Sequence, residues 1–299
     1  MLRWTIGFAL LGVIALLAWQ ELRYLRARRD LAHDLQPILH SGRVFHVVTF
    51  LSLAGDDPTL FAALRELRRA SEASGDGRVV YAGKVALNAL ASKQLVARFG
   101  GEEPWRAVLL AQFDSRAAAE SVLASEGYRR ALALFGRSYA CGMQRSAWIS
   151  LGLPIVLLGK RIAQIVSLAP SHFPFVAAEP NPEIEARAAQ LLAAREYGAR
   201  AVVVVNLLQQ GTPENAAADA RYTAAMFGMM AEGAHGPLHV GDAVPLEAGD
   251  RFDRVALVYY PGVQFFADMM RSRFYRDIVG DKQLADTQAS ITVPVLDRL

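Results

Sequence analysis

Two short apolar segments carry titratable side chains around a single glycine, and their spacing is the best-defined arrangement for chemistry in the chain. His239 stands two positions before Gly241, and Tyr81 stands two positions before Gly83. An imidazole titrates near neutral pH and can act as a general acid or base, and a phenol can donate a proton to a ligand. The sequence therefore indicates His239 and Tyr81 as catalytic candidates.

Three further polar residues complete a predicted ligand-binding set. Lys84 and Asp242 directly follow the two glycines, and Asn206 carries an amide within an apolar run. Polar groups that point into an apolar interior can orient a ligand there. We therefore predict a site lined by Tyr81, Lys84, Asn206, His239 and Asp242. The alternative is a structural role, with local hydrogen bonds or solvent satisfying each side chain.

Other signatures of chemistry do not occur in the sequence. It contains no Gly-x-Ser-x-Gly, His-Glu-x-x-His, phosphate-loop or dinucleotide-binding motif. Its six histidines show no metal-ligand spacing, since Pro237 opposes a helical pairing of His235 with His239. The single cysteine, Cys141, excludes an internal disulfide. We therefore expect no metal site and no resident cofactor.

The charge balance argues against nucleic acid as a partner. The chain has 32 basic and 29 acidic residues, so its net charge is only +3. No stretch interleaves aromatic and basic residues in the way that a single-strand binder needs. We expect no nucleic-acid partner.

The chain repeats one order of elements in two blocks, and these elements would position the candidate residues. Each block opens with a β-branched apolar strand and a helix start that contains proline. A glycine-marked strand, a third strand, a second helix and a closing strand then follow. The glycine indicates a bulge or a close backbone approach. The strands of the two blocks fall at 47–51, 80–85, 105–113 and 139–144, and at 204–208, 238–243, 252–260 and 291–295.

A β-α-β-β-α-β order predicts a ferredoxin-like layout, in which two helices cover one face of an antiparallel sheet. The other face is also apolar and must be buried against a second layer. A second copy in the same chain supplies that layer. We therefore predict an α+β fold in which two tandem ferredoxin-like repeats form one barrel.

Short motifs in both blocks resemble the dimeric α+β barrel superfamily. One is the strand ending Asn206-Leu207-Leu208, and the other is Ser-x-x-Tyr after the third strand, at Ser125 with Tyr128 and at Ser272 with Tyr275. Within the superfamily, the chain is most similar to small domains of the DUF1330 type. The resemblance implies an intramolecular dimeric α+β barrel. It implies no single reaction, because the superfamily includes cofactor-free monooxygenases, isomerases, haem enzymes and proteins without a known reaction.

The N-terminus predicts a membrane anchor. Residues 4–19 contain no charge and carry tryptophan at both ends, as interfacial anchors do. We predict a transmembrane helix at 1–20, in contact with the lipid bilayer through residues 4–19, and a juxtamembrane helix at 21–43. A cleaved signal peptide and a buried helix are the alternatives. The arginines after the segment predict a body in the cytoplasm, at a bacterial-type inner membrane crossed once, and a periplasmic body is the alternative.

The remaining division follows from these elements. The first repeat is predicted at 44–148, a linker at 149–199 and the second repeat at 200–299. An apolar stretch at 147–168 begins at the end of the first repeat and runs into the linker, and it either packs on the barrel or lies on the membrane surface. Prolines then mark an irregular segment, and a helix is predicted over 183–197.

Three functions fit this sequence. The first is a membrane-anchored binding or interaction module, whose partner is an apolar small molecule or another protein. The alternative is a cofactor-independent monooxygenase or isomerase that acts on a hydrophobic small molecule, with His239 or Tyr81 as acid or base. The third is haem binding through His46 or His239.

Overall fold

The structure is a computed structural model that describes residues 2–29, 31, 44–101, 104–197, 200–247, 249 and 251–299. Its strands are β1 Phe45–Ser52, β2 Gly77–Leu90, β3 Ala107–Phe113, β4 Arg137–Gln144, β5 Val202–Gln209, β6 Gly236–Val244, β7 Arg254–Tyr260 and β8 Asp286–Pro294. Its α-helices are α1 Leu2–Arg28, α2 Asp57–Glu72, α3 Lys93–Phe99, α4 Arg116–Ala124, α5 Glu126–Leu132, α6 Ala147–Val166, α7 Pro182–Ala193, α8 Pro213–Gly233, α9 Gly262–Met270 and α10 Arg273–Val279.

The strands form one closed antiparallel barrel in the order β1-β3-β2-β8-β5-β7-β6-β4. The first four strands of the chain pair with one another, and so do the last four. The barrel closes where β2 pairs with β8 and where β4 pairs with β6. The predicted antiparallel α+β barrel is therefore confirmed.

Three apolar clusters hold this architecture together. Alternate residues of each strand point to opposite faces, so one set fills the barrel and the other set faces the helices. Val48, Val108 and Leu257 belong to the interior cluster. The outward set of the first half packs under α2, α4 and α5, and that of the second half packs under α8 and α9.

The Ser-x-x-Tyr motif has a local explanation as a helix cap. The Ser125 hydroxyl accepts a hydrogen bond from the amide of Tyr128 at 3.2 Å, and the Ser272 hydroxyl accepts one from the amide of Tyr275 at 3.1 Å. Each serine therefore begins a short helix, α5 or α10, because its side chain satisfies an amide that the first turn leaves free. The helix start in the first block is capped by Asp56, whose carboxylate accepts a hydrogen bond from the amide of Thr59 at 3.0 Å.

The N-terminal helix α1 docks its C-terminal part on the second half of the chain. The hydroxyl of Tyr259 donates a hydrogen bond to the carbonyl of Ala27 at 2.7 Å, and Arg28 reaches the carbonyl of Pro237 at 3.1 Å. Among the described residues, no helix has both the length and the apolar character to cross a membrane, in contrast to the transmembrane helix predicted at 1–20. The juxtamembrane helix was predicted over 21–43, and its part at 32–43 lies outside the described residues.

The connection between the halves is more helical than the sequence indicated. The apolar stretch forms one helix, α6, which continues through Pro154 and packs against α1 and α8. The side-chain amide of Gln164 on α6 donates to the carbonyl of Gly228 on α8 at 2.9 Å. An irregular segment follows, and the helix expected over 183–197 is α7 continued by a short 3-10 turn at Ala194–Tyr197.

Candidate functional site

Tyr81 lies inside the barrel, where its hydroxyl is already engaged. The β2–β3 pairing shifts register between Val79 and Tyr81, and the phenol is fully buried. Its oxygen lies 2.6 Å from the hydroxyl of Thr292, which itself lies 2.7 Å from the carbonyl of Val203. Thr292 donates to that carbonyl, so Tyr81 donates to Thr292. Burial raises the pKa of Tyr81, and the phenol stays protonated.

His239 occupies the corresponding position of β6 and faces a second histidine. The β6–β7 pairing shifts register between Pro237 and His239, as β2 does before Tyr81. Both His239 and His46 are buried, and their ring centroids lie 5.6 Å apart. A haem bound through either imidazole would have to displace the apolar side chains that fill the barrel around them. The interior position of His239 agrees with the sequence analysis, but the haem hypothesis gains nothing from it.

The two mid-strand glycines allow close contacts that any side chain would prevent. A Cβ atom at Gly83 would lie 2.5 Å from the hydroxyl oxygen of Tyr81, and one at Gly241 would lie 2.5 Å from Cγ of Met143. Separations below 3 Å are not tolerated between such atoms. Both a register shift and a close approach are therefore present beside each glycine.

The other three members of the predicted set lie elsewhere. Lys84 points outward, forms an ion pair with Asp57 and covers the ring of Tyr197 at 3.6 Å. Asp242 is exposed and pairs with Arg254 at 3.3 Å. The predicted ligand-binding set is therefore not one site, because strand alternation sends residues on successive positions to opposite faces.

Asn206 faces the helix layer and not the barrel interior. Its neighbours Val205 and Leu207 belong to the interior cluster, so its own side chain points to the other face. Its amide nitrogen donates to the carbonyls of Val204 and Ala256, each at 3.3 Å. The residue therefore satisfies strand carbonyls, which is the structural role that the sequence left open.

The ion pair of Lys84 belongs to a cluster on the outer surface of the barrel. Asp57 also accepts a hydrogen bond from the hydroxyl of Tyr197 and lies 3.1 Å from Arg106. Burial alone would raise the pKa of Asp57, but the bonds from Lys84 and Tyr197 outweigh it and hold that pKa below its ordinary value. A cavity of about 180 Å³ adjoins the cluster. It is smaller than the roughly 300–1,000 Å³ of ordinary ligand sites.

The layer between sheet and helices differs in character between the halves. In the first half it is an ordinary apolar core, with Leu60, Leu64 and Leu67 on α2. In the second half it is rich in methionine and aromatic side chains. The methionines buried there are Met226, Met229, Met230, Met269 and Met270. Methionine adapts its shape to irregular partners, so this layer is the more adaptable of the two.

A buried histidine stands within this methionine-rich layer. His235 has its Nε2 atom 3.0 Å from the sulfur of Met229, and its ring packs edge-on against Phe265 at 4.9 Å between centroids. Burial lowers the pKa of His235 to about 4, so the imidazole is neutral at physiological pH.

The most chemically suggestive pair in the described structure joins the connecting segment to α8. Nδ1 of His172 lies 2.6 Å from Oε2 of Glu232, and the amide of His172 donates to the same oxygen at 3.0 Å. The Ser171 hydroxyl donates to the other carboxylate oxygen. Partial burial would raise the pKa of Glu232, but these hydrogen bonds hold it below its ordinary value. Glu232 is therefore a carboxylate at neutral pH.

This geometry prepares the imidazole for proton transfer. A carboxylate at Nδ1 keeps the ring hydrogen on that nitrogen and leaves Nε2 as the acceptor. The side chain of His172 is 24% exposed, whereas that of Glu232 is 14% exposed. The base is therefore accessible, and its orienting partner is the more buried of the two.

Aromatic rings surround this pair. The ring of Phe274 lies edge-on to His172 at 5.1 Å, and Phe173 lies 5.5 Å from Phe265 and 5.1 Å from Phe175. We call these four phenylalanines the aromatic rim. An oriented imidazole beside an apolar, aromatic surface can remove a proton from a hydrophobic molecule.

Sequence reasoning missed this pair. His172 was one histidine among six, and Glu232 lies 60 positions away. No spacing rule connects such residues, because the contact exists only after the connecting segment folds back over α8. Among the described residues, no group of three or more potential metal ligands comes together.

The closed antiparallel barrel agrees with the fold that the sequence resemblance implies. No family model matches the chain, and no curated protein matches it. The DUF1330 resemblance therefore stays a prediction.

Solved structures of similar fold span most of the chain at low identity. A mutant chlorite dismutase from Candidatus Nitrospira defluvii is 11% identical, with a TM-score of 0.47 over 91% of this chain and 97% of that one. An anthrone oxidase-like protein is 10% identical, with a TM-score of 0.46 over 86% and 92%. A provisionally assigned monooxygenase from Lactobacillus acidophilus NCFM is 7% identical, with a TM-score of 0.40 over 84% and 94%. Similarity at this level does not indicate a shared activity.

Proposed function

We propose that the protein binds a hydrophobic small molecule at the aromatic rim and acts on it by acid–base chemistry, as a cofactor-independent monooxygenase or isomerase. The observation that carries this proposal is the 2.6 Å contact between Nδ1 of His172 and the carboxylate of Glu232. His172 is the base, Glu232 is its positioning residue, and the four phenylalanines provide the apolar binding surface.

The reaction begins when Nε2 of His172 takes a proton from an acidic carbon of the substrate. Glu232 stabilises the imidazolium that results, because its lowered pKa keeps it ionised. In an isomerase the same imidazolium returns the proton to a different carbon. In a monooxygenase the carbanion reduces dioxygen: the substrate supplies the electrons, one oxygen atom forms the product carbonyl and the other leaves as water.

His239 and Tyr81 have weaker geometric support as the acid or base. The hydroxyl of Tyr81 is committed to Thr292, so a structural role fits it better. His239 faces His46 inside the barrel and stays a second position for proton transfer. We further propose that the two halves are tandem repeats of one ferredoxin-like unit, which the corresponding register shifts before Tyr81 and His239 support.

The base function is tested by proton exchange at carbon, which is independent of any later step. Anthrone serves as the probe because it is an apolar aromatic carbon acid. Purified protein and anthrone are mixed in D₂O under argon, and deuterium uptake at the acidic carbon is followed by NMR. We expect exchange above the buffer rate, and a loss of about 100-fold in His172→Gln.

Two further variants separate the roles. Glu232→Gln should lower the exchange rate by less than His172→Gln does, because the base survives while its orientation and charge stabilisation are lost. Tyr81→Phe should leave the rate unchanged. Exchange at the buffer rate in the native protein, or equal rates in native protein and His172→Gln, would refute the assignment.

A second candidate is coordination of haem iron by Nε2 of His172. Metal-ligating histidines typically donate their other ring N–H to a carboxylate, as His172 does to Glu232. Addition of haem to the purified protein distinguishes haem coordination from acid–base chemistry. A Soret band that appears with native protein and not with His172→Gln supports coordination, whereas free-haem spectra in both leave acid–base chemistry as the function of the pair.

A further inference from the structure

The exposed apolar side chains concentrate on two helices. Among the described residues, seven large exposed apolar side chains lie on α1, seven lie on α6 and the two residues after it, and four lie elsewhere. Trp148 is 85% exposed, Val166 75% and Leu168 88%. Patches of this kind on a folded protein mark interaction sites.

The two helices adjoin each other, so their exposed side chains belong to one region of the surface. α6 packs against α1 on one side and α8 on another. On α1 the residues around Ile14 are exposed on all sides of the helix, and the C-terminal part from Gln20 packs on the body. We call this region the α1/α6 face.

The charge of these helices indicates what covers the face. Their sequences carry six basic residues against one acidic residue, Glu21, and two of the six, Arg23 and Arg28, already donate to carbonyls of the body. Arg26 is exposed, and Arg161 of α6 lies close to Arg23 of α1. Burial is the main cause that lowers the pKa of Arg23, and the positive charge of Arg161 lowers it further. Like charges set side by side are stabilised by an anion placed between them.

Tryptophan is placed as it is in membrane-interface helices. Trp19 contacts the guanidinium of Arg23 at 4.9 Å, and Trp148 stands in the first turn of α6. Indoles and basic side chains both favour the headgroup level of a bilayer, where one end of the side chain is apolar and the other is wet. A protein partner would match the apolar residues but would not account for the excess of positive charge.

We propose that α1 and α6 together bind the surface of an anionic lipid bilayer, with their apolar side chains in the acyl region and their basic side chains on lipid phosphates. The new element is that α1 and α6 form one surface that selects anionic lipid, since the sequence left open whether the stretch at 147–168 packs on the barrel or meets the membrane. The proposal does not rest on the acid–base function of His172, and the exchange assay above is independent of it.

Vesicle binding by the full chain tests this inference. The detergent-purified protein is mixed with vesicles of phosphatidylcholine alone, or with a quarter phosphatidylglycerol, and the bound fraction is measured by sedimentation. We expect at least fivefold tighter binding to the anionic vesicles, and loss of that difference at high salt.

The contribution of α6 to vesicle binding is measured by substituting exposed apolar residues on that helix, because such substitutions leave the core intact. In the variant Trp148→Ser, Ile155→Ser, Val166→Ser, we expect about tenfold weaker vesicle binding with an unchanged circular dichroism spectrum. The matched control is Leu134→Ser with Val279→Ser, two exposed apolar residues outside the face, which should bind like the native protein.

Three results would overturn the proposal. One is equal binding by the α6 variant and the native protein, which would leave α1 as the sole contact. Another is equal binding to neutral and anionic vesicles. The third is a change of oligomeric state in the α6 variant with unchanged vesicle binding, which would make the face an interface between copies of the chain.

Discussion

Replacing His235 should change how the stability of the fold depends on pH. In the unfolded chain this imidazole titrates near 6.5, but in the folded protein burial lowers its pKa to about 4. Between these values the unfolded state binds a proton that the folded state does not. Stability is therefore highest above the unfolded pKa and decreases as pH falls toward the folded pKa.

The magnitude follows from the two pKa values. From about pH 7.5 to about pH 4.5, the difference in proton binding removes about 2.5 kcal/mol of the free energy of unfolding. A single-domain protein has only about 5–15 kcal/mol in total. The effect of one residue is therefore large enough to measure.

The assay is urea unfolding at a series of pH values for the native protein and His235→Phe. Phenylalanine keeps an aromatic ring among its neighbours Phe173, Tyr260 and Phe265. We expect the stability difference between variant and native protein to shift in favour of the variant by about 2–3 kcal/mol over this range. Met229→Leu is the control, because it removes the sulfur contact and no titratable group, so its pH dependence should match that of the native protein. Parallel curves for His235→Phe and native protein would refute the reasoning.

Three further substitutions test the packing that the structure shows, each by its shift in urea unfolding at neutral pH. Tyr81→Phe removes the hydrogen bond to Thr292 and should cost about 1 kcal/mol; no measurable cost would mean that the bond is not formed. Gly83→Ala should cost about 1–3 kcal/mol, because the new Cβ meets the Tyr81 oxygen at 2.5 Å, whereas Gly280→Ala has nothing within 4 Å and should be neutral. Asp57→Asn should cost about 1–3 kcal/mol because its lysine, arginine and tyrosine partners lose a shared anion, and added salt should reduce that cost.

The barrel could be predicted because its signals are local and periodic. Apolar β-branched runs mark the strands, and a glycine at the same place in β2 and β6 marks the close approach to a neighbouring side chain. The proline near the start of α2 and of α8 is likewise a local signal of where a helix begins. Such features depend on neighbours in the chain, and the sequence shows those neighbours.

The five residues of the predicted site do not lie together, because the direction of each side chain depends on its position along the strand. Tyr81 and His239 point inward, but Lys84, one residue past its glycine, points outward to Asp57. Tyr81 and Lys84 are three positions apart on a strand, so alternation places them on opposite faces. The register shift before Tyr81 decides which of the two points inward, and the sequence does not show that choice. Asn206 faces the helices by the same alternation, since Val205 and Leu207 on either side of it belong to the interior cluster.

The candidate site arises where the two halves differ. Both halves contribute four strands with the same pairing, so whatever they share accounts for the barrel and not for a particular chemistry. The segment between α6 and α7 has no counterpart in the first half, and it brings His172 against Glu232 at the end of α8. The layer beneath α8 is methionine-rich, whereas the layer beneath α2 is built from leucine. An ordinary core needs no oriented imidazole and no adaptable lining, so their joint presence is the reason that we propose the function for this half.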